Sequence, residues 1–579
     1  MLDNSTDSAM PVTMPLSMRD VSGRIKVSVH QNRYEADFEY GLQPLRWEGF
    51  TAGSGTIAAS PQLGGVSMNV TTASGDITIR QSRPYHRYQP GKTMYMASAV
   101  NFGTTQANQV QRVGFMDDSN GIFFEQNGAP TKANPYGMFA VVRSDTSGTV
   151  TDTRTSADQW SGDQKTISRI DWSKIQMIWV EFAWYGAGTL RWGVLLNGEP
   201  VILHQVGTAN SSFTGAAQQG PWARTGNLPV RYEQRNTGTT LASNTMVHYG
   251  VSVIVEGGID PQRGFTYSYG MAPQTAQRAV GSNVVRYPVL SIQPRTMGTQ
   301  EYTQATTAIS ASSTTSLTAA GAGWTTNQWQ GRSILFQGTM PAISTGSVSG
   351  QTGTIGFASA HNLPPNQSIV ITGATPSGWN GTYFFTSTGA SSGTIVFPGT
   401  APIAYVSGAT VTSVATARVT ANTATVLTLT DTITGGALAN APLVGGTYTI
   451  GLINRGQLLP QTLIISASAL CVIELIASTS TNPVVLTGQT FTPLSTLGSA
   501  NSFCNRDVSA TAMTGGEVVY AFVAPSGGSG LLQLDLTNFF ATYNVINGSR
   551  PDILTLAVTT PSATGASVGG HIICQEAMS

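Results

Sequence analysis

Arg87–Gly128, RYQPGKTMYMASAVNFGTTQANQVQRVGFMDDSNGIFFEQNG, is the stretch that decides the fold. From Thr93 to Phe102 the side chains alternate, with Met94, Met96, Val100 and Phe102 on one face and Ser98 breaking the row. A period of two marks a half-buried strand, because successive Cβ atoms point to opposite faces of a sheet. Val113–Met116 then runs into Asp117-Asp118-Ser119-Asn120-Gly121, and Ile122-Phe123-Phe124 follows directly. Asn-Gly between two apolar runs predicts a hairpin with a type I′ turn, which needs positive φ at both central positions.

The same signals extend on either side. Tyr34–Tyr40, Val66–Val70, Ile77–Gln81 and Met138–Arg143 are short strand candidates, and Ile178, Val180, Phe182 and Trp184 share a face. Leu190, Trp192, Val194 and Leu196 alternate before Asn197-Gly198, which predicts a second hairpin onto Val201–His204, with Pro200 pointing to an edge strand. Residues 26–265 therefore read as a jelly-roll or lectin-like β-sandwich.

Composition extends this to the whole chain. At 579 residues it is too long for one core, and about three to five domains are expected. Only 10% of residues are charged, against roughly 25% in ordinary soluble domains. Aromatics at 8% argue against disorder, and abundant Gly with Thr, Val and Ser suits strands and tight turns. No long stretch holds a helical period, so the fold class is all-β. The net charge of zero supplies no field to steer nucleic acid. A surface so poor in charge favours an assembled state in which sister subunits cover it. No basic stretch followed by an apolar one marks a secretory signal, and no apolar run reaches the ~18 residues of a spanning helix. Release by lysis as part of a particle is one route out of a cell for such a chain.

Residues 1–25, rich in Ser, Met and Pro, read as an N-terminal arm ordered against a neighbour. Residues 266–300, with Pro273, Pro288 and Pro294, read as a connector that partly pairs with the first domain. Residues 301–341 and 414–455 read as two halves of one small β module, with a bead-like β domain at 342–413 inserted between them. Residues 456–579 read as a C-terminal β-sandwich, with strands at Thr462–Ser466, Cys471–Ile476, Val518–Val523, Ile553–Val558 and His571–Cys574.

Several separated motifs carry a resemblance. RYQPGK, RVGFMDDSNGIFFE and Leu228-Pro229-Val230-Arg231-Tyr232-Glu233, within roughly Tyr34–Gly258, resemble a domain of tailed-bacteriophage virion structural proteins. WTTNQWQGR (Trp324–Arg332) with SILFQG, RVTANTATVLTLTDTITGGALANAPLVGGTYTI (Arg418–Ile450), HNLPPNQSIVI (His361–Ile371) and WNGTY (Trp379–Tyr383) resemble small β modules of the same class. GGEVVYAFVAP and Arg550-Pro551-Asp552-Ile553-Leu554-Thr555 do so in the last domain. WGVLLNG (Trp192–Gly198) is similar to one short motif of concanavalin-like lectins. The phage resemblance implies a tail-fibre or baseplate component, assembled in the host cytoplasm into the virion as a homo-oligomer, with a trimer expected. Its partners would be other virion proteins, with a host-surface glycan as a further contact. A capsid decoration, cement or head-fibre protein is the alternative, and a glycan-binding or glycan-cleaving adhesin the second.

Catalytic signals are weak. Gly565-Ala566-Ser567-Val568-Gly569 matches a nucleophile elbow in letters only, since no helical pattern follows it. Paired carboxylates for glycoside hydrolysis would come from Asp117, Asp118, Glu125, Asp163, Asp171 and Glu181. Asp117 and Asp118 suit a turn for backbone reasons, and Glu181 near Trp179 and Trp184 either faces a sugar or pairs with an arginine. Asp118, Asn120 and Gly121 match part of a calcium loop whose first ligand position is Met116. The six histidines are scattered, and Cys471, Cys504 and Cys574 lack CxxC spacing, so no metal site, cofactor or disulfide framework is expected and the cysteines read as buried thiols. Arg83, Tyr85, His86, Arg87, Tyr88 and Lys92 form a basic-aromatic cluster suited to a subunit contact, a sandwich edge or an anionic glycan. The expectation is a protein without catalytic activity.

Overall fold

A computed structural model describes residues 30–185, 188–208, 221–256, 264–271, 276–297, 302–303, 308–361, 367–397, 403–438, 441–479, 482–494, 501–524, 532–536, 550–561 and 564–577. The expected arm at 1–25 lies outside the described residues. Strands dominate throughout, and the α-helix among the described residues is the single turn Gln164–Ile167, capped by Asp163. No helix among the described residues is long and apolar enough to cross a membrane.

The first sandwich is built from β1 (His30–Ala36), β2 (Trp47–Ala52), β3 (Thr56–Ser60), β4 (Gly65–Val70) and β5 (Ile77–Ser82). Next come β6 (Met94–Asn101), β7 (Gln109–Met116), β8 (Gly121–Asn127), β9 (Met138–Ser144) and β10 (Thr151–Ser156). It is completed by β11 (Gln176–Phe182), β12 (Thr189–Leu196), β13 (Glu199–Gly207), β14 (Val230–Asn236) and β15 (Asn244–Glu256). One sheet runs β13-β12-β11-β6-β15-β4-β3, with β1 pairing β15, and the other runs β10-β9-β8-β7-β14-β5-β2. All pairs are antiparallel, and alternate residues fill the space between the sheets: Met94, Met96, Val100, Val113, Phe115, Ile122, Phe124, Ile178, Val180, Trp192 and Tyr232 are all buried there. Ser98, the break in the apolar row, is buried with its hydroxyl 2.6 Å from the Tyr232 hydroxyl and 3.1 Å from the Gly250 carbonyl.

The β7–β8 hairpin forms, but with a different turn from the one the sequence predicts. Met116 pairs with Gly121, leaving a four-residue loop, Asp117–Asn120. Asp117 Oδ1 accepts the N–H groups of Ser119 and Asn120, both at 2.8 Å, and so closes the loop before Asn120-Gly121 can form the corner. Asn197 and Gly198, with φ of 53° and 84°, do form the expected two-residue turn between β12 and β13. Pro200 sits on β13, an edge strand.

Two apolar clusters occupy the middle of the chain. Ile334, Phe336, Ala417, Leu427, Leu429, Tyr448 and Ile450 form one, and Ile355, Phe357, Ile369, Ile371, Trp379, Phe385 and Phe397 the other. Strand Thr410–Asn422 serves both, pairing with Gln367–Thr372 at its start and with Ser333–Thr339 further along.

The expected connector is corrected. β16 (Gly264–Gly270) and β17 (Arg278–Val280) pair with strand Ala566–Ala577, and β18 (Tyr287–Pro294) pairs with Leu554–Thr559 and Cys504–Asp507. Tyr269, Val280, Val289, Leu290 and Ile292 share the core of residues 458–574 rather than that of the first sandwich. Burial of Val289, Leu290 and Ile292 drives the docking, and the partner strands lie more than 200 positions further along the chain. Cys471, Cys504 and Cys574 are free and buried in this core.

Candidate functional site

The outward face of the β10-β9-β8-β7-β14 half-sheet carries charge where a strand pattern would place solvent-facing residues. Most of these charges are buried or half-buried, with Arg154 exposed at the edge strand, and they form a continuous ionic ladder. Arg143 Nε lies 2.8 Å from Asp152, and Arg154 bridges Asp152 (2.8 Å) and Glu125 (2.6 Å). Arg112 bridges Glu125 (2.7 Å) and Glu233 (2.6 Å). Glu233 also receives Arg235 at 2.5 Å and Arg231 at 3.4 Å, and Arg231 reaches Asp118 at 2.6 Å. Arg112 and Arg143 both lie over the Phe123 ring. Burial acts to raise the carboxyls of Glu125 and Asp152, but the surrounding guanidiniums outweigh it and hold both low, Asp152 down to about 2.

The basic-aromatic stretch does not form a surface patch. Arg83 is buried in an ion pair with Asp552 of the C-terminal region. Tyr85 and Tyr88 are buried, with Arg455 over the Tyr85 ring at 5.0 Å and Tyr88 stacked on Phe182 at 6.0 Å. His86 lies inside the sandwich against Tyr34 and Phe115, and burial lowers its imidazole to about 3, so it is neutral. Arg87 and Lys92 are half-buried. The segment ties the sandwich to its neighbours instead of offering a row of cations to a ligand.

The carboxylates are not brought together as a hydrolytic pair. Asp163 caps the short helix, Asp171 caps the turn at Ser173, and Glu181 is buried 3.3 Å from Arg191 on the adjacent strand. Glu125 belongs to the ladder. Asp118 is held by Arg231, whose charge also acts to lower the Asp117 carboxyl. Burial, and then Asp118 beside it, push the Asp117 carboxyl up. No group of three His, Cys, Asp or Glu able to hold a metal occurs among the described residues. Ser567 lies within strand Ala566–Ala577, so the elbow pattern has no elbow.

Asp117 and Asp118 instead face a cavity of about 410 Å³ where three parts of the chain meet. The first sandwich contributes Tyr85, the 117–120 loop, Asp145, Arg224, Thr225 and Asn227; the middle modules contribute Gly331, Ser333, Arg418 and Thr432; residues 452–456 and Phe503 close it. Arg418 fixes the junction: its guanidinium donates to Asp145 Oδ2 (2.8 Å) and to Ser119 Oγ. Arg224 donates to the Gly331 carbonyl (2.7 Å) and lies 3.3 Å from Asp145 Oδ2. Gln457 Nε2 donates to the Tyr85 carbonyl at 2.9 Å. No local spacing signals the role of Arg418, since it meets Asp145 only through the packing of modules more than 270 residues apart in the chain.

The chain matches no protein-family model, and no curated protein matches it in sequence. Among solved structures, the apo Crh5 transglycosylase aligns at 15% identity and a TM-score of 0.26, over 39% of this chain and 84% of that one. An endo-1,3-beta-glucanase from Streptomyces sioyaensis aligns at 9% identity and a TM-score of 0.26, over 40% and 97%. Peanut lectin aligns at 10% identity and a TM-score of 0.21, over 40% and 97%. These likenesses are to β-sandwich proteins and imply nothing about activity.

Proposed function

We propose that this chain is a structural component of a tailed-phage virion, a tail-fibre or baseplate appendage that works without catalysis and assembles as a homotrimer with other virion proteins. The observation that carries the reading is the junction. Arg83–Asp552, Arg418–Asp145, Arg224–Gly331 and Gln457–Tyr85 tie successive β modules together through buried or half-buried polar contacts. Desolvating such groups is costly, and their return lies in fixing one geometry more than in stability. Fixed spacing between modules is what an appendage that transmits a contact from a host surface to a particle requires. The low charge and the phage-like motifs point the same way. Quantitative mass spectrometry of purified virions tests it: a small copy number in multiples of three supports an appendage, while hundreds of copies assign the chain to the capsid surface.

A further inference from the structure

We infer that Val12–Met18 of one chain adds as a strand to the outer edge of strand Glu517–Ala524 in a neighbouring copy. That strand is the last in its six-stranded sheet, and no strand lies beyond it among the described residues. From Tyr520 to Ala524 it pairs in regular register with Cys471–Leu475. Its outward row is apolar: Val523 is 60% exposed, its partner Val472 is 37% exposed, and Leu470, two residues before Val472, is 45% exposed. Glu517 is the only charge on the strand, and Glu474 on the neighbouring strand is engaged by Arg286 at 3.1 Å. Folded proteins blunt such edges with charges or proline, as β10 does with Asp152 and Arg154 and β13 with Glu199 and Pro200. Past Glu517 the edge has no such guard, which points to a strand that covers it.

The chain itself holds an occupant of matching chemistry. Residues 1–29 precede the first described residue, and within them Ser8–Met18, SAMPVTMPLSM, carries no charge. Val12, Met14, Leu16 and Met18 alternate with Thr13, Pro15 and Ser17, the period of a strand with one apolar face. Pro11 and Pro15 bias the residues before them, Met10 and Met14, toward extended backbone. In a strand the N–H groups of successive residues point to opposite edges, so both prolines remove donors from the same edge. The other edge, formed by residues 12, 14, 16 and 18, keeps every donor. Such a segment pairs on one side only, so it adds to a sheet and ends it. Residues 19–29 reach at most roughly 40 Å when extended, more than the ~30 Å width of a small domain, which lets the arm leave its own chain. An arm donated to the next copy makes a head-to-tail contact, and such contacts close into a ring in a homotrimer. The inference rests on the assembly half of the proposed function but not on a place in a virion.

The test uses the purified full chain, so a failure here is separate from the virion copy number that decides the particle reading. Self-association is measured by analytical ultracentrifugation over a range of concentrations. The chains compared are the wild type, Val523→Glu, Leu16→Asp, Ser17→Asp and the double variant Leu16→Asp/Val523→Glu. Val523 is exposed, so a charge there leaves the fold intact, and unchanged circular dichroism verifies this for every variant. The wild type is expected to self-associate. Val523→Glu and Leu16→Asp should each weaken association about tenfold or more, because an unpaired charge is forced into an apolar contact. Ser17→Asp puts the same charge on the opposite face of the arm and should weaken it less than about threefold. The double variant should be within about threefold of the worse single one, since both changes strike the same contact. A monomeric wild type, equal losses in Leu16→Asp and Ser17→Asp, or losses that multiply in the double variant overturn the inference.

Discussion

Replacing Glu233 by Gln tests whether the ionic ladder holds the first sandwich together. Glu233 is fully buried and accepts from Arg112 at 2.6 Å, Arg235 at 2.5 Å and Arg231 at 3.4 Å. After the change Arg112 keeps Glu125 and Arg231 keeps Asp118, but Arg235 loses its one carboxylate among the described residues. It is left with the Ile433 carbonyl at 3.3 Å. Breaking a buried pair from one side costs about 3–5 kcal/mol, and two of the three guanidiniums remain paired, so a loss of about 3 kcal/mol is expected. The dependence on pH follows from the carboxyl itself. Burial acts to raise it, but Arg235, Arg112 and Arg231 outweigh that and hold it far below its ordinary 4.5. A carboxyl depressed on folding contributes stability that is present above its unfolded value and is lost as pH falls toward its folded one. The gap between wild type and Glu233→Gln should therefore be full at neutral pH and shrink steadily below about 4.5. Urea unfolding followed by tryptophan fluorescence measures it, since seven of the ten tryptophans lie in this sandwich. A cost under ~1 kcal/mol at pH 7, or a gap unchanged at low pH, refutes the reasoning.

The remaining predictions concern the junction and the C-terminal core. Arg418→Met removes the strongest link between Asp145 and the middle module and should cost about 3 kcal/mol of coupling, read as a single calorimetric transition splitting into two. Burial raises the Glu576 carboxyl, against the pull of Ser502, Tyr269 and the Phe503 N–H. A carboxyl raised on folding adds stability below its unfolded value that is lost as pH rises through the folded one, so the C-terminal transition should fall as pH climbs from about 4.5. Glu576→Gln should flatten that slope while lowering the baseline by ~1–3 kcal/mol, because an amide cannot accept from all three donors. Burial pushes the Cys471, Cys504 and Cys574 thiols up, so a maleimide should label none of them in the native protein and all three in denaturant.

How much was legible in the sequence varies along the chain for physical reasons. Alternation at Met94–Phe102 and in β11 and β12 fixed which residues face inward, because a strand's period of two follows from its own backbone. The Asn197-Gly198 turn followed in the same way from local dihedral preference. At Asn120-Gly121 local preference lost to a competing local bond, since the Asp117 carboxylate captured two backbone donors first.

Sequence by itself determined that this chain is all-β and placed several of its strands, Met94–Asn101, Gln176–Phe182 and Thr189–Leu196 among them, with the apolar side of each, since these depend on neighbours within a few residues. Tertiary structure alone decided that β16, β17 and β18 belong to the C-terminal core and that Arg83, Tyr85, His86 and Tyr88 are buried. It also brought Asp145, Arg418 and Tyr85 to one cavity. Strand partners and buried ion pairs are chosen by surfaces that meet across hundreds of residues, and no local spacing encodes which surfaces those are.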